Sequence, residues 1–312
     1  MIRYLLRQLL GLISLLFLVS LAAFFIIRVM PGNPAEAYLN SINAPLTEES
    51  IRQAKEEMGL EGPVTEQYAR WLGRALKGDL GNSYETRRPV AKELARGLRY
   101  TACLAGASLL WIFSLSVPLG LLSVKYANRP LDSIIGAFTF LGSAMPKFWL
   151  GFLLVMFFSL RLEIFPVQGA GSLKAFILPS FTLAWSYIAT YTKLLRNSIL
   201  DVLSRPFVSY ARIRGFGKWR VMLRHVLPNA LTPVLTTLGL QLGGLLSGTV
   251  IVENVFSCPG LGRMCIRAVA ARDYPVIQGY ILLMAVIFGA ANLTLDLACG
   301  ALNPGLRMGK EE

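Results

Sequence analysis

Few residues of this 312-residue chain stand at spacings that could support chemistry, and each points to binding or transport rather than bond breaking. Gly215-Phe216-Gly217-Lys218-Trp219 imitates part of a phosphate-cradling loop. A true P-loop needs glycine where Arg212 stands and a serine or threonine where Trp219 stands, so ATP hydrolysis by this chain is not expected. His225 is the sole histidine, which leaves no zinc-hydrolase pair, no nucleophilic triad and no resident metal site. Cys258 and Cys265 fall in one outer segment, where an oxidising compartment would permit a disulfide. Seven residues along a helix would separate them by about 10 Å of rise, beyond bridging reach. Cys103 and Cys299 read as small core residues of apolar segments. Lys147 is the one strong cation deep in an apolar run, and a charge at such depth marks a functional site by default. The competing reading is a lysine that snorkels or lines a water-filled break after Pro146. Asp296 is its obvious partner in type. From inner ends near residues 133 and 302, the helical rise puts Lys147 roughly 20 Å and Asp296 roughly 9 Å into the membrane, which argues against a direct pair.

The elements that must position these residues are apolar and long. Hydrophobic residues make up 54% of the chain and charged ones 16%, far from the usual soluble mixture, so an all-α integral membrane protein is the first class. Six transmembrane helices are expected, over about residues 9–27, 100–124, 134–160, 175–195, 230–252 and 279–301. The first, preceded by Arg3 and Arg7, is too long for a signal-peptide core and reads as a retained anchor. Pro118 permits a kink in the second, and Gly142, Pro146 and Lys147 predict tilt or a break in the third. The expected organisation is an anchor helix (1–28), a small extracytoplasmic insert (29–97) and a five-helix transmembrane domain (98–312). In the insert, Thr47 should cap a helix ending at Gly59, and residues 64–76 should form a second helix with Tyr68, Leu72 and Leu76 on one face.

Net charge is +13, and the apolar runs leave little surface for a polyanion, so positive-inside topology explains the excess better than nucleic acid does. From Lys193 to Arg224 there are eight Lys or Arg against the single acid Asp201. This places residues 196–228 and both termini on the cytoplasmic side. Within this stretch, Tyr210-Ala211-Arg212-Ile213-Arg214-Gly215 should form a helical turn stopped by Gly215. A second short helix should begin after Gly217, and Pro228 suits the first turn of the following span. In that span Gly239, Gly243, Gly244 and Gly248 form two Gly-x-x-x-Gly pairs, which serve either a pore or partner surface or packing inside one subunit.

Ala211, Gly215 and Leu227-Pro228, with Tyr210, Arg212, Arg214, Arg224 and His225, resemble the coupling loop of permease subunits in binding-protein-dependent ABC importers, peptide and nickel branch. Ser209 and Tyr210 stand where that loop usually has Glu-Ala. The external strings Pro31-Gly32-Asn33-Pro34, Gln67-Tyr68…Trp71-Leu72 and Gly78-Asp79-Leu80-Gly81 are similar to the same family's outer domain. Glu253-Asn254-Val255-Phe256, Arg272-Asp273-Tyr274-Pro275 and the terminal Asn303-Pro304-Gly305-Leu306-Arg307 extend the likeness over nearly the whole chain. The resemblance implies a bacterial or archaeal inner-membrane subunit. It would pair with a homologous permease, two cytoplasmic ATP-binding subunits and an extracytoplasmic solute-binding protein, with ATP used by the partners and no cofactor held here. Ser209, Tyr210, Ala211, Arg212, Arg214, Gly215, Phe216, Gly217, Leu227 and Pro228 would couple to the ATPases, and Lys147, Gly243 and Gly244 would lie along the path. Nickel, a metal chelate, dipeptides and oligopeptides all remain open as cargo, with the Glu-Asn-x-Phe string tilting toward nickel. A secondary transporter would need an ionisable relay or inverted repeat that the sequence does not display.

Overall fold

The computed structural model describes residues 2–29, 33–42, 44–169 and 171–302, and these are all-helical apart from loops and one isolated bridge between Asn82 and Pro89. They form two compact units, residues 1–100 with 259–293 and residues 101–258 with 294–312.

The first unit contains α1 (Ile2–Val29), α2 (Pro34–Ser41), α3 (Glu48–Glu57), α4 (Val64–Ala75), the first turns of α5 (Val90–Lys125), and α12 (Leu261–Ala271) with the start of α13 (Tyr274–Leu302). Its short helices are set by their ends. Asn33 accepts a hydrogen bond from the Ala35 N–H at 3.1 Å. Thr47 and Ser50 form a reciprocal capping box, and the turn beyond α3 uses Gly59 at φ +67°. Helix α4 rolls one residue away from the expected face. Gln67 and Trp71 are buried, whereas Leu76 is 80% exposed. The end of α1 decides this, because the Phe24 ring packs on Tyr68 and Trp71 at 5.2 and 5.6 Å. Arg28 lies 3.4 Å above the Phe24 ring and donates to Gln67 Oε1.

The second unit holds most of α5, then α6 (Pro130–Ala144), α7 (Lys147–Leu154) continued by a π-helical stretch (Val155–Arg161), and α8 (Leu173–Leu203). Next come α9 (Pro206–Ile213), α10 (Lys218–Val221), a second π-helical stretch (Met222–Val226) and α11 (Leu227–Val255). Helix α8 is the core of this unit, packing against α6, α7 and α11. Leu183, Ile188, Tyr191, Leu195 and Ile199 on it are essentially inaccessible.

Among the described residues, Leu10–Val29, Val90–Lys125 and Tyr274–Leu293 are long and apolar enough to cross a membrane. Two bent pairs raise the number to five if each is one span. They are Pro130–Ala144 with Lys147–Arg161, bent by 106°, and Lys218–Thr237 with Gly239–Val255, bent by 49°. The break expected at Pro146 is therefore present. Helix α8, the expected fourth span, falls outside this group. Its Ser180, Thr182, Tyr187, Tyr191 and Thr192 are buried within the chain, so it needs no apolar surface all round. By contrast α1 exposes Leu10, Ile13, Leu18 and Ile26, a surface suited to hydrocarbon.

One expectation about cysteine is corrected. Cys103 is exposed rather than a core residue. As their spacing implies, no disulfide joins Cys258 and Cys265, the first fully buried beyond the end of α11 and the second half-buried on α12. Cys299, Asp296 and the motif at residues 303–307 lie outside the described residues or side chains, as do Pro31 and Gly32.

Candidate coupling elbow and translocation path

Between α8 and α11 the chain folds into an elbow. Pro206 occupies the first turn of α9, where its missing N–H is no loss, and an Arg205–Asp201 ion pair at 2.8 Å bridges the approach. Val208 and Ala211 turn inward and are buried, as is Val221 on α10. Ser209, Arg212, Arg214, Gly217, Lys218 and Arg220 are exposed. Gly215 closes α9 at φ +83°, with its N–H on the Arg212 carbonyl and the Phe216 N–H on the Ala211 carbonyl. The turn leaves Tyr210 67%, Ile213 80% and Trp219 69% exposed beside four cationic side chains. Phe216 is held back by contact with the His225 ring, and the Arg220 guanidinium lies 5.5 Å from it. Leu227 opens α11, with Pro228 in its first turn. The sequence-derived loop residues thus fall on one element, and the additional ones the fold brings out are Ile213 and Trp219. Their apolar type among basic neighbours is the signal that sequence reading passed over.

Lys147 opens α7 directly after the break, and its ammonium lies 4.7 Å from the centroid of the Tyr187 ring on α8. Tyr187 stacks on Tyr191, whose hydroxyl donates to Gln241 Oε1 on α11 at 3.2 Å. A Cβ on Gly244 would meet the Tyr187 hydroxyl at 3.3 Å, and one on Gly248 would stand 2.7 Å from Lys147 Nζ. Gly243, the neighbouring position on α11, is half-buried. Gly248 therefore packs closely against Lys147 and Leu183, while Gly244, itself exposed, stands beside the Tyr187 hydroxyl. Tyr187, Tyr191 and Gln241 were not read from the sequence. A pair of tyrosines four apart in an otherwise apolar run was their only signal.

Two further polar clusters hold the second unit. Asp132 accepts from Arg196 Nε and Nη2 at 3.0 and 2.8 Å, from the Ser123 hydroxyl, and from the Asn128 N–H. A cavity of about 650 Å³ opens beside it, lined by Ser133, Thr139, Thr192 and Lys193 among others. Glu253 is wholly buried and accepts from the Thr101 hydroxyl at 2.6 Å. Phe256 is 1% exposed. Within the Glu253-Asn254-Val255-Phe256 string, Glu253 and Phe256 are thus buried and Asn254 and Val255 half-buried.

In the first unit a cavity of about 220 Å³ is lined by Arg96, Arg263 and Arg267 together with Glu85, Glu93 and Asp273. Asp273 is 1% exposed and accepts from the Ser83 hydroxyl and the Glu85 N–H. Burial pushes its carboxyl above the ordinary range, and the hydrogen bonds from Ser83 and from backbone N–H groups offset only part of that. An acid with a raised folded-state pKa holds its proton more tightly folded than unfolded. Its contribution is full below about pH 4 and is lost as pH rises through the raised value. Unfolding of this unit should therefore become easier as pH rises above about 4, and Asp273→Asn should flatten that slope in a thermal scan read by hydrogen exchange.

Residues 116–308 match the family described as binding-protein-dependent transport system inner membrane component, and residues 1–105 match the N-terminal part of such membrane components. The glutathione transport system permease protein GsiC of Escherichia coli K12 is 38% identical over 307 residues, covering 98% of this chain and 99% of that protein. GsiC of Shigella dysenteriae serotype 1 is similar to the same extent. In fold, a chain of the MetNI methionine ABC transporter in an inward-facing conformation matches 67% of this chain and 96% of its own length, at 17% identity and a TM-score of 0.56. With whole-length sequence similarity and fold in agreement, the chain belongs to the inner-membrane components of binding-protein-dependent transport systems and is a permease subunit of the peptide and nickel branch of ABC importers.

Proposed function

We propose that this subunit forms half of the route by which a short peptide of the glutathione kind enters the cell. A homologous permease supplies the other half, an extracytoplasmic binding protein delivers the solute, and two cytoplasmic ATP-binding subunits drive the cycle. The observation that carries the reading is the elbow, where Tyr210, Ile213 and Trp219 stand exposed among Arg212, Arg214, Lys218 and Arg220. Aromatic and arginine side chains clustered on a small projecting element are the anchor chemistry of protein interfaces. Buried Val208, Ala211 and Val221 root that element in the helical body, so a push on it reaches α8 and α11 rather than dissipating in a loop.

Nucleotide acts through the elbow by population shift. ATP draws its two subunits together, and the permease follows only as far as the two pore states differ in their affinity for that closed form. The elbow faces the cytoplasm in this reading, as the basic bias of residues 193–224 implies. The peptide assignment draws support from the relatives named as glutathione permeases.

The test is reconstitution of the four-component transporter. Tagged permease should retain both ATP-binding subunits through purification, and proteoliposomes should accumulate glutathione only with ATP and binding protein. Retention of no ATPase would overturn the importer arrangement. Uptake driven by an ion gradient without ATP would replace it with a secondary transporter.

A further inference from the structure

We propose that Lys147 is the point at which this permease takes hold of a carboxylate on the solute passing through it. The inference rests on the importer reading above and adds the charge of the cargo.

The geometry begins with the break. Helix α6 ends at Ala144, Met145 and Pro146 are extended, and the chain turns through 106° before Lys147 opens α7. Lys147, Leu150 and Gly151 share one face at helical spacing. Leu150 is 7% exposed, and a Cβ on Gly151 would touch Val255 at 3.0 Å and Thr182 at 3.5 Å, so this face looks into the bundle. Phe148, Trp149 and Phe152, about half-exposed, occupy the outer face. The lysine is therefore directed toward α8 and α11, away from the apolar surface across which a snorkelling side chain would run.

What surrounds the ammonium does not neutralise it. The ring of Tyr187 lies beneath it at 4.7 Å, and Gly248 leaves the space it fills. No ion pair or hydrogen bond to Lys147 occurs among the described residues. The first turn of α7 adds the positive end of a helix dipole, so its own helix also disfavours the charge. A cation kept at membrane depth against both its helix and its solvation is a fixed electropositive point with three free donors. Beside it run the Tyr187 hydroxyl, stacked Tyr191 and Gln241, groups that hydrogen-bond amides. Together they fit a small molecule that carries a carboxylate next to an amide, and they repel a bare metal cation.

A carboxylate from the partner permease is the other source of the same chemistry, and the experiment separates the two. The complete transporter is reconstituted in proteoliposomes, and ATP-driven uptake is measured for glutathione, glycylglycine and glycylglycinamide. Lys147→Met is expected to lower uptake of the two carboxylate probes roughly tenfold or more while changing the amide by less than about twofold. Binding-protein-stimulated ATP hydrolysis should persist, and Lys147→Arg should restore uptake. Three results would overturn the proposal: unchanged uptake of all probes in Lys147→Met, equal loss of the free acid and the amide, or release of the partner permease during purification, which would assign the lysine to the subunit interface. If the wild-type transporter imports none of the probes, the peptide reading falls and this inference with it. If it imports them and Lys147→Met does so equally well, only this inference falls.

Discussion

Gly215→Val is expected to leave the protein in the membrane at close to wild-type amount and to abolish ATP-driven uptake. Gly215 sits at φ +83°, a conformation that a β-branched side chain adopts only at a cost of about 1–3 kcal/mol. Nothing lies within 4 Å of where a Cβ would be, so the penalty falls on the backbone alone. The chain relieves it by opening the turn, which breaks the bonds from the Gly215 and Phe216 N–H groups to Arg212 and Ala211. Trp219 then moves relative to Tyr210 and Ile213, and the exposed cluster loses its shape while the membrane helices keep theirs. Purified Gly215→Val should have an unfolding midpoint near that of wild type but should not retain the ATP-binding subunits. Gly215→Asn is the control, because asparagine tolerates the left-handed region and should keep both retention and uptake. Wild-type retention in Gly215→Val would separate the turn from coupling.

The second large effect concerns stability. Gly142 lies on α6 where it crosses α8, and a Cβ there would come within 2.7 Å of the Ala189 Cβ and 3.6 Å of Trp185 Nε1. Ala189 is 1% exposed, and Trp185 is itself wedged against Phe138 with ring centroids 4.7 Å apart. Neither neighbour has room to yield. Gly142→Val should therefore cost on the order of 2–3 kcal/mol or more, through overpacking that forces the helices apart. The measure is the unfolding midpoint in detergent together with the amount recovered from the membrane. Gly136→Val on the same helix meets nothing within 4 Å and should be nearly neutral. Equal behaviour of the two variants would show that the crossing is looser than its geometry implies. Because α6 leads directly into the Pro146 break, any Gly142→Val protein that survives should also transport poorly, its Lys147 displaced from Tyr187.

Much of this arrangement was legible in the residues themselves. The Thr47 cap, the Gly59 stop, the break at Pro146 and the helix, turn and helix around Gly215 follow from local backbone chemistry, which needs only a few neighbours in sequence. Apolar run lengths place the protein in a membrane because a bilayer of about 30 Å demands about 20 residues of helix. The basic bias of residues 193–224 marks one loop apart from all others for the same local reason, since charge sign is a property of composition. The α4 face was misjudged by one position because the end of α1, far along the chain, chose which side to cover.

What the sequence could not supply is the pairing of its polar groups. Asp132 meets Arg196 across 64 residues, Thr101 meets Glu253 across 152, and Ser83 meets Asp273 across 190. Lys147 faces Tyr187, and no carboxylate pairs with it among the described residues. Such partners are fixed by how helices cross and rotate, and those angles arise from side-chain packing summed over whole surfaces rather than from any window of neighbours. Composition and local pattern therefore determined that this chain is a helical membrane protein with a basic elbow between two of its long helices. Only the tertiary packing decided which polar groups its charges meet, Arg196 for Asp132 and the ring of Tyr187 for Lys147.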